Sequence, residues 1–234
     1  MADGRHASSS RIKPAYLITG GVAVVVVAFL GFVLLRGGTD GLPIIGNSTP
    51  PTPPFAFVVT KVLAVPTRTG ITAAKLKSKA KPAATEVEKA MNALYIGAFL
   101  DPGNWQHGSY DDVWGLFDTG ASAEAQQQVD TITAGTGAGD AFDTILPDQT
   151  AASLKTKVLF DQKDQPFSVV AIVHFEATGS GKGARDLQMK SEGQFVFQQV
   201  DGTWKIVSFR VLRNDIPAAT PTVTRTTTPT ASPS

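Results

Sequence analysis

The sequence predicts an α+β protein in which one N-terminal membrane helix precedes a single folded domain. Three features support this prediction: an uncharged apolar segment near the start, one long helical stripe, and a series of alternating strands in the last third. The apolar segment runs from Ala15 to Leu35, which is 21 residues without a charged residue, Asn, Gln or Pro. A helix of that length spans roughly 30 Å, the thickness of a bilayer's hydrocarbon core. We therefore predict a transmembrane helix at 15–35.

Basic residues precede the apolar segment. In the tail 1–14, Arg5, Arg11 and Lys13 stand against a single acid. Basic residues beside a membrane helix tend to stay in the cytoplasm, so we predict the tail inside the cell membrane and the domain outside it. A cleaved signal peptide is the alternative, but its apolar core is usually only about 7–15 residues long. The segment 36–39 also has no Ala-x-Ala-like cleavage site, which favours an uncleaved anchor.

The composition excludes several classes of function. There is no cysteine, which rules out disulfides, thiolate metal sites and a cysteine nucleophile. The formal net charge is +1, so the chain has no general field for nucleic acid. No two histidines and a carboxylate fall at metal-ligand spacing, and Ser109 and Ser153 lack a Gly-x-Ser-x-Gly setting. We therefore expect no nucleic acid, metal or cofactor as a partner.

The chain divides where its composition changes. Residues 36–54 are rich in Gly and then in Pro, which predicts a linker that is flexible in its first half and extended in its second. Residues 55–216 are numerous enough to bury a core of their own as one domain. Residues 217–234 are mostly Thr, Pro and Ser, which predicts a disordered tail, with O-glycosylation of that tail as the alternative.

The clearest helical pattern follows Pro82. Apolar residues recur there at i, i+3, i+4, i+7, i+8, i+11 and i+12, namely Val87, Ala90, Met91, Leu94, Tyr95, Ala98 and Phe99. Pro82 suits the first turn of this helix, and a capping box of Thr85 and Glu88 is the alternative start. An Asp-Pro-Gly sequence ends it. A second, short helix is predicted from Ser109 and a third after Ser122.

Strand patterns dominate the rest of the domain. Phe55 to Val65 is apolar at both alternating sets of positions, which predicts a strand covered on both faces. Asp201-Gly202 predicts a tight hairpin turn, and Gly193 inside a strand predicts a bulge or bend. Four strands with short connections predict an antiparallel meander. They are Leu154–Phe160, Phe167–Glu176, Leu187–Gln198 and Trp204–Leu212.

The order of these elements resembles a known superfamily. Helices followed by a bent meander that closes with Asp201-Gly202-Thr203-Trp204-Lys205-Ile206-Val207 resemble the nuclear transport factor 2-like superfamily, which includes SnoaL-like cyclases and ketosteroid isomerases. The resemblance covers about Pro82 to Asp215. It implies a cone-like domain of about three helices packed on a curved antiparallel sheet. In such domains the mouth of the cone can hold a ligand, and the enzymes among them have Asp, His or Tyr there.

The layout of the whole chain carries a second resemblance. The run Ala98-Phe99-Leu100-Asp101-Pro102-Gly103-Asn104-Trp105 is similar to a group of actinobacterial membrane proteins. One anchor before such a domain also resembles Mce-associated membrane proteins and the inner-membrane scaffold subunits of type IV secretion and conjugation machines. The implied partners are the lipid bilayer and other envelope proteins, or a second copy of the chain.

Three functions are compatible with this layout. The first hypothesis is a non-catalytic, membrane-anchored scaffold or interaction protein of the cell envelope, outside the cell membrane. A subunit of a conjugation or type IV secretion apparatus is one alternative. A small-ligand binder or enzyme that uses the cone cavity is the other.

Tyr95, Asp112 and His174 are the candidates for a cavity site. His174 has Glu176 two residues further on, so a carboxylate could orient it as a base, whereas a solvent-facing strand histidine is the simpler interpretation. Tyr95 belongs to the apolar stripe, which favours a core position over a proton donor. Asp112 fits the N-terminus of the second helix. The sequence therefore assigns no catalytic residue.

Four alternating lysines precede the first predicted helix, at Lys75, Lys77, Lys79 and Lys81. Such a patch suits anionic lipid headgroups or wall polymers. A solvated loop that leads into the helix is the alternative, and it is the simpler explanation for four charges.

Overall fold

The computed structural model describes residues 49–182 and 186–217, which form an α+β domain as predicted. The predicted transmembrane helix at 15–35, the N-terminal tail, and most of the linker and of the C-terminal tail lie outside the described residues. Among the helices in the described ranges, none combines the length and the apolar character needed to cross a membrane.

In the described residues one strand comes first, helices follow, and five strands complete the domain. The helices are α1 (Ala73–Tyr95, continued by a π-helical turn at Ile96–Leu100), α2 (Pro102–Trp105), α3 (Asp111–Trp114), α4 (Thr119–Gln127), α5 (Val129–Ile132) and α6 (Ala138–Ala141). The strands are β1 (Val58–Pro66), β2 (Thr144–Pro147), β3 (Ser153–Phe160), β4 (Pro166–Ser180), β5 (Leu187–Val200) and β6 (Thr203–Pro217).

Helix α1 begins well before the predicted start. Pro82 lies inside the helix and Thr72 is its N-cap, so both predicted starts are wrong. Leu76 and Ala80 extend the buried stripe towards the N-terminus, and burying them outweighs the proline's missing hydrogen bond. The four alternating lysines are therefore helical, which corrects the loop interpretation.

The other helices are short. Helix α4 starts at Thr119 because the Asp118 carboxylate accepts a hydrogen bond from the backbone N–H of Ala121 at 2.7 Å, so the predicted start after Ser122 is too late. Ser109 does not cap α3, because its hydroxyl donates to the Asp111 carboxylate. Among the helices in the described part of the chain only α1 is long, and it supplies most of the helical surface that faces the sheet.

The sheet is mixed and curved, so the predicted purely antiparallel sheet is wrong. Its strand order is β1-β3-β4-β5-β6, with β2 paired to β4. Strands β3 to β6 form the predicted antiparallel meander, but β1 pairs with β3 in parallel. A parallel pair needs a long crossover, and the helical region between β1 and β3 provides one.

Strand β1 is an edge strand and not a strand covered on both faces. It begins at Val58, whose surface is 57% exposed. Phe57 lies just before it and is buried in the core, where its backbone N–H donates to the Asn92 side chain at 2.9 Å. The aromatic residues of this segment therefore pack in or against the core, whereas Val58, Val59 and Val65 are exposed along an open sheet edge.

The β5–β6 turn agrees with the prediction. Asp201 and Gly202 have φ angles of 50° and 78°, the left-handed pair expected of a two-residue type I′ hairpin. Gly193 is not a bulge, because it pairs regularly with Val173, and the irregularity lies between Val196 and Phe197.

Candidate functional site

The three cavity candidates do not come together. Tyr95 is on the last turn of α1 and is buried, Asp112 is exposed on α3, and His174 is on β4. His174 precedes Phe175, whose ring lies 5.0 Å from that of Tyr95. Because successive strand residues point to opposite faces, His174 lies on the face of the sheet away from Tyr95.

Tyr95 sits where a cone-type cavity was predicted, but the space is filled. Its ring packs against those of Phe57 at 5.0 Å, Phe99 at 5.5 Å and Phe195 at 6.4 Å, in addition to Phe175. Its hydroxyl forms a 3.0 Å hydrogen bond with Ser191, which is also buried. Burial raises the pKa of Tyr95, and this exceeds the opposing effect of the Ser191 hydrogen bond.

The environment of Tyr95 is therefore structural. A phenol whose pKa is raised by burial holds its proton tightly, and Tyr95 is only 2% exposed. The Ser191 hydrogen bond satisfies a polar group that would otherwise be buried without a partner.

His174 belongs to a polar network on the outer face of the sheet. Its Nε2 lies 3.2 Å from the Glu176 carboxylate and its Nδ1 lies 3.2 Å from that of Glu192. Glu176 also accepts hydrogen bonds from Gln188 at 2.6 Å and pairs with Lys190 at 3.0 Å. The strand register aligns these residues, since His174 is opposite Glu192, and Glu176 is opposite Lys190.

This network is arranged for pairing charges more than for proton transfer. Both nitrogens of His174 are engaged by carboxylates, and only the doubly protonated ring donates at both. A general base needs a free nitrogen that faces the substrate. Among the described residues no group of three His, Asp or Glu side chains is placed to hold a metal ion.

Asp112 is exposed in the first turn of α3, next to Asp111. Two carboxylates there complement the partial positive charge of a helix N-terminus. Helix α3 lies on the helical side of the sheet, where Tyr110 and Val113 are buried, whereas the network of His174 lies on the opposite face. Asp112 therefore shares no site with the other candidates.

The lysine patch is divided by the helix. Residues two apart in a helix point about 200° apart, so Lys75, Lys77, Lys79 and Lys81 do not form one surface. Lys79 and Lys81 point to opposite sides of α1 and line opposite edges of a groove of about 1020 Å³ between α1 and the β5–β6 hairpin, whereas Lys75 and Lys77 are not among its lining residues. The groove is also lined by Lys89, Trp204 and Lys205, which the sequence does not single out as site residues.

One sequence signal could have indicated part of this groove. Lys79, Pro82, Glu86 and Lys89 follow at i, i+3, i+7 and i+10, which is a single helical stripe, but only if α1 starts before Lys79. Trp204 and Lys205 come from a distant hairpin, and no local pattern links them to α1. Comparison of the chain with family models, with curated proteins and with solved structures gives no match, so the residues and their geometry alone carry the assignment of function.

Proposed function

We propose that this protein is a single-pass membrane protein whose outer domain is a non-catalytic scaffold or interaction domain of the cell envelope, with a nuclear transport factor 2-like architecture. The uncharged segment at 15–35 and the basic tail before it support the anchor and its orientation. The order of one long helix, short helices and a curved meander supports the architecture.

The observation that carries the proposal is the packing around Tyr95. In a cone that binds a ligand, the space between the long helix and the sheet must be open. Here that space holds the rings of Phe57, Phe99, Phe175 and Phe195, whose centroids lie 5.0–6.4 Å from that of Tyr95. This favours functions performed at the surface over the cavity-based alternative.

The outer face of the sheet is the surface best suited to bind another protein. Partly exposed apolar side chains cross it, including Val170, Ile172 and Val196, and Leu212 is 62% exposed. Apolar side chains bordered by charged ones are typical of a protein interface.

Charge indicates what kind of partner fits this face. Lys61 and Lys155 are directly opposite each other on β1 and β3, and Lys157 follows on the same face. Like charges opposite each other in a sheet are unfavourable. Within 49–182 and 186–217 none of the three lies within ion-pair distance of a carboxylate. The partner that relieves this repulsion is an envelope protein with an acidic rim around an apolar patch.

Site-specific crosslinking in intact cells tests the proposal. A photoreactive residue at Ile172 should yield an adduct with a specific envelope protein, and Lys155→Glu with Lys157→Glu should abolish it. A photoreactive residue at Gln127, exposed on α4, is the matched control and should give no such adduct. Recovery of monomer alone from Ile172, or equal adducts from both positions, contradicts an interface on the sheet.

The anchor has a separate test. The full chain should stay with membranes after an alkaline carbonate wash, and protease added to cells stripped of their outer layers should digest the domain. Release into the aqueous fraction, or a domain that resists protease until the membrane is broken, contradicts the proposed topology.

A further inference from the structure

The groove between the middle of α1 and the β5–β6 hairpin is rich in lysine for a nearly neutral chain. Four lysines line it, and Glu86 is the carboxylate among its lining residues. That carboxylate is paired with one of the lysines, Lys89, at 2.8 Å. The lysines are Lys79, Lys81, Lys89 and Lys205.

The positions of two lysines are set by backbone contacts. Lys79 donates to the backbone carbonyl of Asp164 at 3.1 Å, and Lys205 donates to that of Gly115. These bonds leave each ammonium with further donors for a ligand, because a lysine has three. Lys81 has no hydrogen bond or ion pair among the described residues. Apart from Lys89, which is paired with Glu86, the groove lysines form no ion pair among the described residues, so most of the positive charge along the groove is not neutralised by the protein.

Trp204 gives the groove an aromatic surface. It is half-buried in β6, directly after the tight turn at Asp201-Gly202, and it lines the groove together with Pro82, Ala90 and Leu116. A large apolar ring beside fixed charges is the combination that binds molecules with both a flat apolar face and anionic groups.

We propose that this groove binds an acidic polysaccharide, a chain of sugar rings that carry carboxylates or phosphates. Sugar rings have an apolar face that stacks on an indole, and their acidic groups pair with the lysines on either side. A groove of about 1020 Å³ has room for several residues of a linear polymer.

The shape of the site distinguishes this ligand from a bilayer. A bilayer surface is flat, so proteins that bind it present convex surfaces or protruding aromatic residues that enter the interface. Here the lysines line a concavity and Trp204 is half-buried in its wall. A strand-like ligand can enter such a groove and reach Trp204 in its wall, whereas a flat membrane would contact the exposed lysines first.

This role goes beyond the proposed interaction with an envelope protein and does not depend on it. The groove is lined by α1 and the hairpin, whereas the crosslinking position Ile172 lies on the outer sheet face. A variant that loses polymer binding but keeps the crosslink affects the groove alone. A variant that loses the crosslink but keeps polymer binding affects the sheet interface alone.

Binding of the full chain in detergent to polygalacturonate, measured by microscale thermophoresis, tests the groove. Fully methyl-esterified polygalacturonate is the matched neutral polymer and should not bind. Lys79→Gln with Lys81→Gln should weaken binding by about three- to tenfold. Lys75→Gln with Lys77→Gln removes the same charge from the same helix outside the groove and should change binding less than about twofold.

The tryptophan separates a sugar site from a general anion site. Trp204→Ala should weaken binding of polygalacturonate roughly fivefold and leave binding of polyglutamate, an acidic polymer without sugar rings, unchanged. Circular dichroism of each variant confirms that it is folded.

Three results overturn the proposal. Equal losses from the two lysine pairs mean that the charge acts diffusely. Polyglutamate that binds as tightly as polygalacturonate means that the site does not recognise sugar. Binding to phosphatidylglycerol vesicles without binding to either polymer means that the lysines contact lipid.

Discussion

The two faces of β4 differ in composition, contacts and energetics, although their residues alternate along one strand. On the inner face Phe175 is fully buried and its ring contacts Tyr95 at 5.0 Å and Phe99 at 5.1 Å. One residue earlier, His174 is on the outer face between two carboxylates. Apolar packing stabilises the inner face, whereas ion pairs and hydrogen bonds connect the residues of the outer face.

This difference shows where stability and recognition reside. An inner residue that loses volume leaves a cavity, because its buried neighbours relax only partly into the space. When an outer side chain is substituted, water takes over part of its contacts, so the free energy of unfolding changes little. The affinity for a binding partner can still change strongly. Since the two sets alternate, one can be altered without the other.

The strongest test of the comparison is Phe175→Ala. Removing this ring from the aromatic cluster should lower the free energy of unfolding by about 3–5 kcal/mol, because the neighbouring rings cannot close the gap. Denaturant unfolding of the full chain, followed by tryptophan fluorescence, measures it, since all three tryptophans lie in the domain.

The same strand provides the control for this change. Phe167 is 43% exposed near the start of β4, so Phe167→Ala should lower the free energy of unfolding by less than about 1 kcal/mol. Equal losses from the two substitutions would show that the inner face is not the tighter one.

A smaller effect is expected from adding volume to the inner face. Gly193 pairs with Val173 and Val211, and a Cβ there would lie 2.8 Å from the Phe195 ring and 3.3 Å from the Val211 side chain. Gly193→Ala should therefore cost about 1–3 kcal/mol through overpacking, measured by the same unfolding experiment.

Gly137 is the matched position without crowding. A Cβ there meets no atom within 4 Å, and its φ of −94° suits any residue. Gly137→Ala should change the free energy of unfolding by less than about 1 kcal/mol. A Gly193→Ala variant as stable as Gly137→Ala would show that Phe195 can move and that the interior has spare room.

The buried hydroxyl of Tyr95 contributes to the stability of the inner face, and this contribution depends on pH. Tyr95→Phe should lower the free energy of unfolding by about 1–2 kcal/mol at neutral pH, because it removes a hydrogen bond and leaves the buried Ser191 hydroxyl without its partner. Urea unfolding of the full chain at neutral pH checks this cost.

The sign of the pH effect follows from the direction of the shift. Burial raises the pKa of Tyr95 above its ordinary value of 10.0. The unfolded chain therefore loses this proton first as the pH rises, and the tyrosine's contribution to stability, complete below about pH 10, falls above it. The Tyr95→Phe variant should lose less stability than the parent between pH 9 and 11, whereas a parallel loss would show that other groups govern the alkaline transition.

Local patterns predicted the parts of this fold that depend on neighbours in sequence. The alternation from Phe167 to Glu176 and the turn at Asp201-Gly202 agree with β4 and with the β5–β6 hairpin. The alternating charges of the four lysines favoured a loop before Pro82. The helix nevertheless starts there, because Leu76 and Ala80, which lie between the lysines, continue its buried stripe.

Long-range contacts account for what the sequence did not reveal. The parallel pairing of β1 with β3 joins residues about 95 positions apart, and no local pattern specifies it. The groove has the same origin, because Lys79 and Trp204 meet only once α1 packs beside the hairpin. The alternation did indicate that His174 and Phe175 face opposite sides, but the filling of the space around Tyr95 depends on rings from four separate segments.

The smallest expected effect is on the outer face. Glu176 is the centre of its polar network, since Gln188, Lys190 and His174 all contact its carboxylate, and its side chain is 13% exposed. Glu176→Gln keeps the shape and removes the charge, so it should lower the free energy of unfolding by about 1 kcal/mol in low salt and less in high salt.

Glu192 is the control for that charge, because it contacts the same histidine but is 67% exposed. Glu192→Gln should change the free energy of unfolding by less than about 0.5 kcal/mol, since water and salt already screen it. A loss from Glu176→Gln that approaches that of Phe175→Ala would mean that the outer network is a second core and not a surface. A loss near 1 kcal/mol that salt diminishes keeps the two faces distinct, because a loss caused by a cavity in an apolar core does not depend on salt.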